Sequence, residues 1–375
     1  MKIEAAVLRR RGAAYPYAKS RPLAIETIDL DPPGRGEVLV RIAAAGLCHS
    51  DLSVINGDRS RPLPMALGHE AAGVVEALGE GVEDLAIGDH VVMVFMPSCG
   101  HCLPCTGGRP ALCEPGAVAN GAGTLLGGPT RLGDGDGMIH HHLGCSAFAT
   151  HAVVSRRSLV KIDPALPLAE AALFGCAVLT GVGAVVNTAR VTAGQSVAVV
   201  GLGGVGLAAV LGAVAAGASR IVAVDLLEDK LALARHLGAT DTVMAAGDTA
   251  AAVRALTDGG CDVVVEMAGS VRALAAAVAM TRRGGITVTA GLPPAGTALP
   301  VDIVSLVAEE RTLKGSYIGT CVPARDIPRY VALYRAGRLP VDHLVSGYLT
   351  LADINEGFDR LQEGHAVRQI VRLAP

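Results

Sequence analysis

The sequence predicts an α/β chain in which a doubly wound parallel domain is set inside a strand-rich one. Short β-branched runs at Val197–Val200, Ile221–Val224, Val263–Glu266 and Ile286–Thr289 alternate with helical stretches rich in Ala and Leu. That alternation is the mark of βαβ units and a parallel sheet. The first third reads instead as strands and turns. Val38–Ala43 and Ala72–Ala77 are examples, broken by Pro32-Pro33-Gly34, Gly79-Glu80-Gly81 and Gly88-Asp89. The C-terminal part adds helices over Asp326–Ala336 and Asp353–Glu363 and a strand over Gln369–Leu373. A length of 375 residues suits two domains. The first is expected over 1–178 and 321–375, the second over 179–320. The glycine-rich segment 115–137 has no periodicity and reads as a long surface loop.

Composition narrows the function classes. Apolar residues make up 51% of the chain, but aromatics only 3%, with no Trp and 47 Gly. The cores must therefore be built from Ala, Val, Leu and Ile. A formal net charge of −3 gives no electrostatic reason to expect nucleic acid or an acidic membrane as partner. The N-terminus lacks an apolar core and runs into Arg9-Arg10-Arg11, so a cytoplasmic location is expected. Val197–Ala218 carries no charge and is long enough to span a membrane. It starts β-branched and then meets Gly201, Gly203, Gly204 and Gly206, which a strand, a turn and a buried helix explain better.

Nine cysteines, an odd count in a long chain without a secretory signal, point to metal or thiol chemistry rather than a disulfide framework. Cys99, Cys102, Cys105 and Cys113 have the spacing C-x2-C-x2-C-x7-C. Four thiolates so close in sequence can wrap one tetrahedral Zn²⁺ with no open position, the form of a structural site. An iron–sulfur cluster takes the same four ligands. Elsewhere stand Cys48-His49-Ser50-Asp51, Gly68-His69-Glu70 and Gly175-Cys176. Taken singly, Cys176 reads as a core thiol and His69 as a turn residue. Together, one His and two Cys leave a fourth tetrahedral position open, as a catalytic zinc requires.

Gly201-Leu202-Gly203-Gly204-Val205-Gly206 follows a predicted strand and opens a predicted helix, and Asp225 ends the next strand. This is the setting of a dinucleotide-binding turn, with the pyrophosphate at the helix N-terminus. Asp225 can accept from the ribose hydroxyls and repels a 2′-phosphate, and Leu226 and Leu227 follow it rather than an Arg. NAD is therefore expected over NADP.

The order C-x-S-D, G-H-E, four-cysteine lobe and G-C before a Rossmann unit resembles the zinc-dependent alcohol dehydrogenases of the medium-chain dehydrogenase/reductase family. The likeness extends to His140-His141-His142-Leu143-Gly144, Lys314-Gly315, Asn355-Glu356-Gly357-Phe358 and Val367-Arg368. The chain length and the 115–137 segment look like the animal-type, class III-like branch. The resemblance implies a GroES-like, mostly-β catalytic domain and a Rossmann domain. It implies two Zn²⁺ per chain, a structural one on the four-cysteine lobe and a catalytic one on Cys48, His69 and Cys176. Asp51 and Glu70 would stand behind those ligands. His49, Lys230 and Arg368 match positions that contact the cofactor in relatives. Ser50 would relay a proton from a zinc-polarised alcohol while hydride passes to NAD. In several relatives the relay ends on a histidine where this chain has Ser53.

Phe95, Leu143, Leu292 and Tyr317 match apolar positions lining the substrate pocket, whereas Arg59 and His142 fall where relatives often carry apolar side chains. Those two suggest a substrate with a polar or anionic end. The expected activity is NAD-linked interconversion of a small-molecule alcohol with its aldehyde or ketone. Oxidation of a formaldehyde–glutathione adduct ranks second, because acidic residues that would hold the adduct are missing from Gly57–Pro64. A non-catalytic zinc- and NAD-binding protein would be expected to have lost a ligand or the relay serine, and Cys48, Ser50, His69 and Cys176 are all present. The resemblance also implies a homodimer.

Overall fold

The computed structural model describes residues 1–373. The chain divides into two compact units, 1–176 with 322–328 and 345–375, and 177–321 with 329–344.

The first unit is mostly β. Strands Lys2–Leu8, Leu23–Leu30, Leu132–Asp134, Gly137–His141 and Met65–Ala66 close a small barrel. Beside it runs a second sheet in the order Leu159–Lys161, His90–Met93, Ala71–Leu78, Glu37–Gly46, Arg368–Arg372 and Val345–Leu349, and His151–Ser155 also pairs with Glu37–Gly46. Alternating side chains fill the barrel: Ile3, Ala5 and Val7 from one strand meet Ile28, Leu30, Leu132 and Ile139. The few aromatics sit where bulk is needed, with Phe148 and Phe358 fully buried edge to face at 6.1 Å.

The second unit is a six-stranded parallel sheet. Its order is Asp241–Met244, Arg220–Asp225, Ser196–Val200, Cys261–Glu266, Thr281–Thr289 and Thr312–Gly315. Helices Gly204–Ala215, Glu228–His236, Thr249–Leu256 and Val271–Met280 connect the strands. The inner strands are buried on both faces, which is why they read as continuous Val and Ala runs rather than alternating patterns. The sheet order reverses next to Ser196–Val200, the topological switch point where doubly wound sheets bind ligands. The uncharged stretch Val197–Ala218 is this central strand, its turn and a buried helix. Among the described residues no single helix is long and apolar enough to cross a membrane.

One expectation fails. Segment 115–137 is not a long loop. It holds most of helix Glu114–Ala122, then strands Leu132–Asp134 and Gly137–His141 of the barrel. The helix hides from a periodicity search because its buried face is made of Gly116, Ala119 and Asn120 while Val118 points outward. The Cys113 thiol caps it by accepting from the Gly116 N–H.

Candidate functional site: a three-donor metal centre and a glycine turn

The first unit gathers its donors from three places. Cys48 follows strand Glu37–Gly46 as the N-cap of helix His49–Ile55. His69 and Glu70 lie just before strand Ala71–Leu78, after Gly68 at φ 94°, a left-handed backbone that suits glycine. Cys176 ends the turn Leu173–Gly175, which packs so tightly that a Cβ on Gly175 would lie 2.1 Å from the Met93 carbonyl. The two Cys Sγ atoms and a ring nitrogen of His69 lie within 4.8 Å of one another, and all three residues are buried. Cys176 Sγ stands 3.6 Å from His69 Nε2. Two thiols and one imidazole, close but not closed, fit a Zn²⁺ with one open position.

The surroundings favour one thiolate of the pair: Cys48 and burial push the Cys176 thiol well above its ordinary range. Cys176 beside it, together with Arg368 and His69, holds the Cys48 thiol well below its ordinary range. Arg368 is buried here, with its Nη1 donating to the Leu47 carbonyl at 2.9 Å and its Nε 3.7 Å from Glu70 Oε1. Burial pushes the Glu70 carboxyl up to about 7 despite Arg368. Behind His69, Asp51 Oδ1 accepts from the Gly68 N–H at 3.1 Å and sits 3.2 Å from His69 Nδ1. Burial alone would raise Asp51, but the imidazoles of His69 and His142 bring it down to about 2.

The remaining expected site residues separate into groups. Phe95 is buried edge-on to the His69 ring at 5.5 Å, and Leu143 is buried next to His142. Ser50 is half-buried and His49 exposed on helix His49–Ile55, and Ser53 spends its hydroxyl on the His49 carbonyl at 2.8 Å. Arg59 is half-buried with its backbone N–H on the Ser53 carbonyl. Sequence reasoning missed Arg61 and Asn120. Arg61 donates to the Asn120 carbonyl at 3.1 Å, and the Asn120 amide donates to the Phe95 carbonyl at 2.8 Å. Asn120 lies in the segment read as a loop, so no signal marked it.

The four-cysteine lobe also assembles. Cys99, Cys102, Cys105 and Cys113 bring their sulfurs within 4.8 Å of one another. Backbone N–H groups of Cys99 and Cys102 donate to Cys113 and Cys99 sulfurs at 3.1 and 3.3 Å; such contacts help bring Cys99 down to about 7, whereas burial leaves Cys113 raised. A closed four-sulfur set fits a structural Zn²⁺.

In the second unit, Gly201 sits at φ 89°, and a Cβ on Gly206 would lie 1.8 Å from the Gly201 carbonyl. Only glycine permits that turn. Around Gly203 there is nothing within 4 Å of an added Cβ, so the space in front of helix Gly204–Ala215 is open. Gly203 offers no side-chain cap, leaving the first N–H groups, from Gly204 and Val205 onward, for an anion. The Asp225 carboxylate ties the two flanking turns together, accepting from Leu202 N–H at 2.6 Å and Leu227 N–H at 3.1 Å. Lys230 lies half-buried on helix Glu228–His236. Leu292 is exposed after strand Thr281–Thr289, and Tyr317 precedes the turn Ile318–Thr320. The glycine turn, the open helix N-terminus and Asp225 fit a dinucleotide.

Comparison with known proteins agrees with both halves. Residues 34–164 match the alcohol dehydrogenase GroES-like domain family, and residues 204–336 match the zinc-binding dehydrogenase family. An alcohol dehydrogenase zinc-binding domain protein from Burkholderia ambifaria is 38% identical, with a TM-score of 0.93 and full coverage of both chains. Benzyl alcohol dehydrogenase from Acinetobacter calcoaceticus is 34% identical, again with a TM-score of 0.93 and full coverage of both chains. A zinc-binding dehydrogenase from Sinorhizobium meliloti 1021, bound to NADP, is 26% identical with a TM-score of 0.80 and full coverage of both. Since bacterial relatives share the full length, chain length does not mark an animal-type branch.

Proposed function

This chain belongs to the family of zinc-dependent medium-chain dehydrogenases, and on that premise we propose that it oxidises an alcohol to its aldehyde or ketone with NAD, and runs the reverse reaction. The observation that carries the reading is the buried set Cys48, His69 and Cys176, three donors rather than four. A closed site would be structural, whereas an open one leaves room for substrate oxygen. When bound, zinc supplies Lewis-acid polarisation of that oxygen and the nicotinamide supplies the hydride acceptor.

The chain's own residues do the rest. With a metal bound, Arg368 would offset the negative charge of the two thiolates and of Glu70 beside it. Ser50 takes the hydroxyl proton of the substrate and passes it to solvent. Ser53, committed to the His49 carbonyl, does not extend that path. Gly201 to Gly206 and the N-terminus of helix Gly204–Ala215 hold the pyrophosphate. Asp225 accepts from the ribose hydroxyls, and its charge selects NAD over NADP. Lys230 supplies positive charge toward the cofactor.

The relative named for benzyl alcohol makes an aromatic primary alcohol the first substrate to try. A homodimer is part of the reading. Strand Thr312–Gly315 is an edge of the parallel sheet, and Ile303, Val304 and Val307 are each more than 70% exposed on the neighbouring helix Ile303–Ala308. Such an apolar face next to a free sheet edge suits a second copy of this chain.

The test is NADH formation by zinc-loaded protein across a panel of alcohols, followed by formaldehyde with glutathione. Turnover confined to the formaldehyde adduct would replace the alcohol reading. A kcat–pH profile unchanged in Ser50→Ala would remove the relay role.

A further inference from the structure

His69 presents Nε2 to the other donors, so the direction of that nitrogen depends on what holds the opposite side of the ring. Asp51 does so, 3.2 Å from Nδ1. Asp51 is itself fully buried, and one Gly68 N–H and one imidazole do not exhaust a carboxylate. The other group against it is His142, whose Nδ1 lies 3.0 Å from the same Asp51 Oδ1, while Oδ2 has no hydrogen-bond partner among the described residues. The His142 ring is buried and stands perpendicular to the His69 ring at 5.4 Å.

The backbone is built to keep it there. The His142 N–H donates to Ser146 Oγ at 3.0 Å, and its carbonyl accepts from the Cys145 N–H at 3.0 Å. Leu143, Gly144 and Ser146 adopt φ of 51°, 66° and 52°. Left-handed backbone at two non-glycine residues so close together persists only where the surroundings demand it. An apolar side chain would fill the same volume without needing this polar contact, and it would leave Asp51 holding His69 alone.

We propose that His142 is a positioning residue of the metal centre: it fixes Asp51, and through Asp51 it fixes the ring of the ligand His69. This rests on the reading of Cys48, His69 and Cys176 as a catalytic metal site. Partners that orient a metal-bound histidine commonly change metal affinity by about 10- to 100-fold when removed.

The experiment loads the full-length protein with Zn²⁺ at both sites and follows loss of metal to a chelator. The same proteins are then loaded with Co²⁺ at the catalytic site and their visible spectra recorded. The variants are His142→Phe, His142→Asn, Asp51→Asn and the double variant Asp51→Asn/His142→Phe. His142→Phe should weaken the catalytic metal by roughly 10-fold or more and shift the Co²⁺ bands, while the four-cysteine metal is retained. His142→Asn, which keeps a donor near Nδ1, should stay within about 3-fold of the parent. In the Asp51→Asn background His142→Phe should add little, because the path runs through Asp51.

A His142→Phe protein with the parent's metal affinity and spectrum, whatever its melting temperature, overturns the proposal. So does a full additive effect in the double variant. Should His142→Phe fail to fold, His142→Ala takes its place: parent metal affinity in that variant overturns the proposal, and a loss of roughly 10-fold that His142→Asn does not share supports it. Failure of the parent protein to bind a second equivalent of metal would instead overturn the catalytic-site reading.

Discussion

Two glycines of one turn should respond in opposite ways to the same added methyl group. At Gly206 the new Cβ would lie 1.8 Å from the Gly201 carbonyl, a backbone atom that cannot swing aside. The turn would have to open at the base of the sheet's central connection, and overpacking of this kind costs about 1–3 kcal/mol. For a domain of this size each kcal/mol shifts Tm by roughly 2–4 °C, so Gly206→Ala should melt about 2–12 °C lower. At Gly203 nothing lies within 4 Å of the new Cβ, and φ −70°, ψ −175° is allowed to alanine. Alanine is a poorer N-cap than glycine by roughly 0.5–1 kcal/mol, but it gains about 0.4–1 kcal/mol through the unfolded chain. The two nearly cancel, and Tm should move by no more than about 2 °C.

The empty space at Gly203 is where the reading puts the pyrophosphate. A methyl group there lifts a phosphate oxygen off the helix N–H groups, and losing one charge-assisted hydrogen bond costs about 1.5–3 kcal/mol. Gly203→Ala should therefore weaken NADH binding by roughly 10- to 100-fold while folding normally. Thermal melts and titration of NADH fluorescence measure both quantities on the same samples. If Gly203→Ala binds NADH within twofold of the parent, the phosphate does not lie at this turn. Equal destabilisation of both variants would refute the steric argument.

Other outcomes follow from the same geometry. Asp225→Asn removes the charge that repels a 2′-phosphate, so the NAD-to-NADP ratio of kcat/KM should fall at least about 10-fold; an unchanged ratio places discrimination elsewhere. In the four-cysteine lobe, burial pushes Cys105 up to about 12 and raises Cys113, so both thiols are protonated near neutral pH. Zinc binding there must release at least about two protons at pH 7.5, and affinity must fall as pH falls. A pH-indicator titration that registers no proton release contradicts that assignment. Val307→Glu puts a charge on the exposed apolar helix face and should convert a dimer to monomer, read by light scattering. A Val307→Glu protein that remains dimeric pairs through another face.

The parts of the fold written in local pattern were legible. β-branched runs gave the parallel strands because strands buried on both faces admit little else, and the glycine turn lies between the expected strand and helix. The four-cysteine lobe was legible because its ligands sit within one short stretch. What escaped was set by tertiary contact. Helix Glu114–Ala122 buries small residues that carry no apolar period. Arg368 matched a cofactor-contacting position, and its nearness to Glu70 and the two thiols joins segments far apart in sequence. The contact of His142 with Asp51 joins segments 91 residues apart, so no local window contains both, and His142 read as a pocket residue. Arg61, hydrogen-bonded to Asn120 beside Phe95, escaped because those contacts join segments far apart in sequence.

The central claim is that the open Cys48, His69 and Cys176 site does the chemistry. NADH appearance with benzyl alcohol should be followed as a chelator strips the catalytic metal while the four-cysteine metal stays bound, and again after Zn²⁺ is restored. The rate should fall in proportion to catalytic-site metal and return with it. Unchanged turnover with that site empty and the other full would contradict the account.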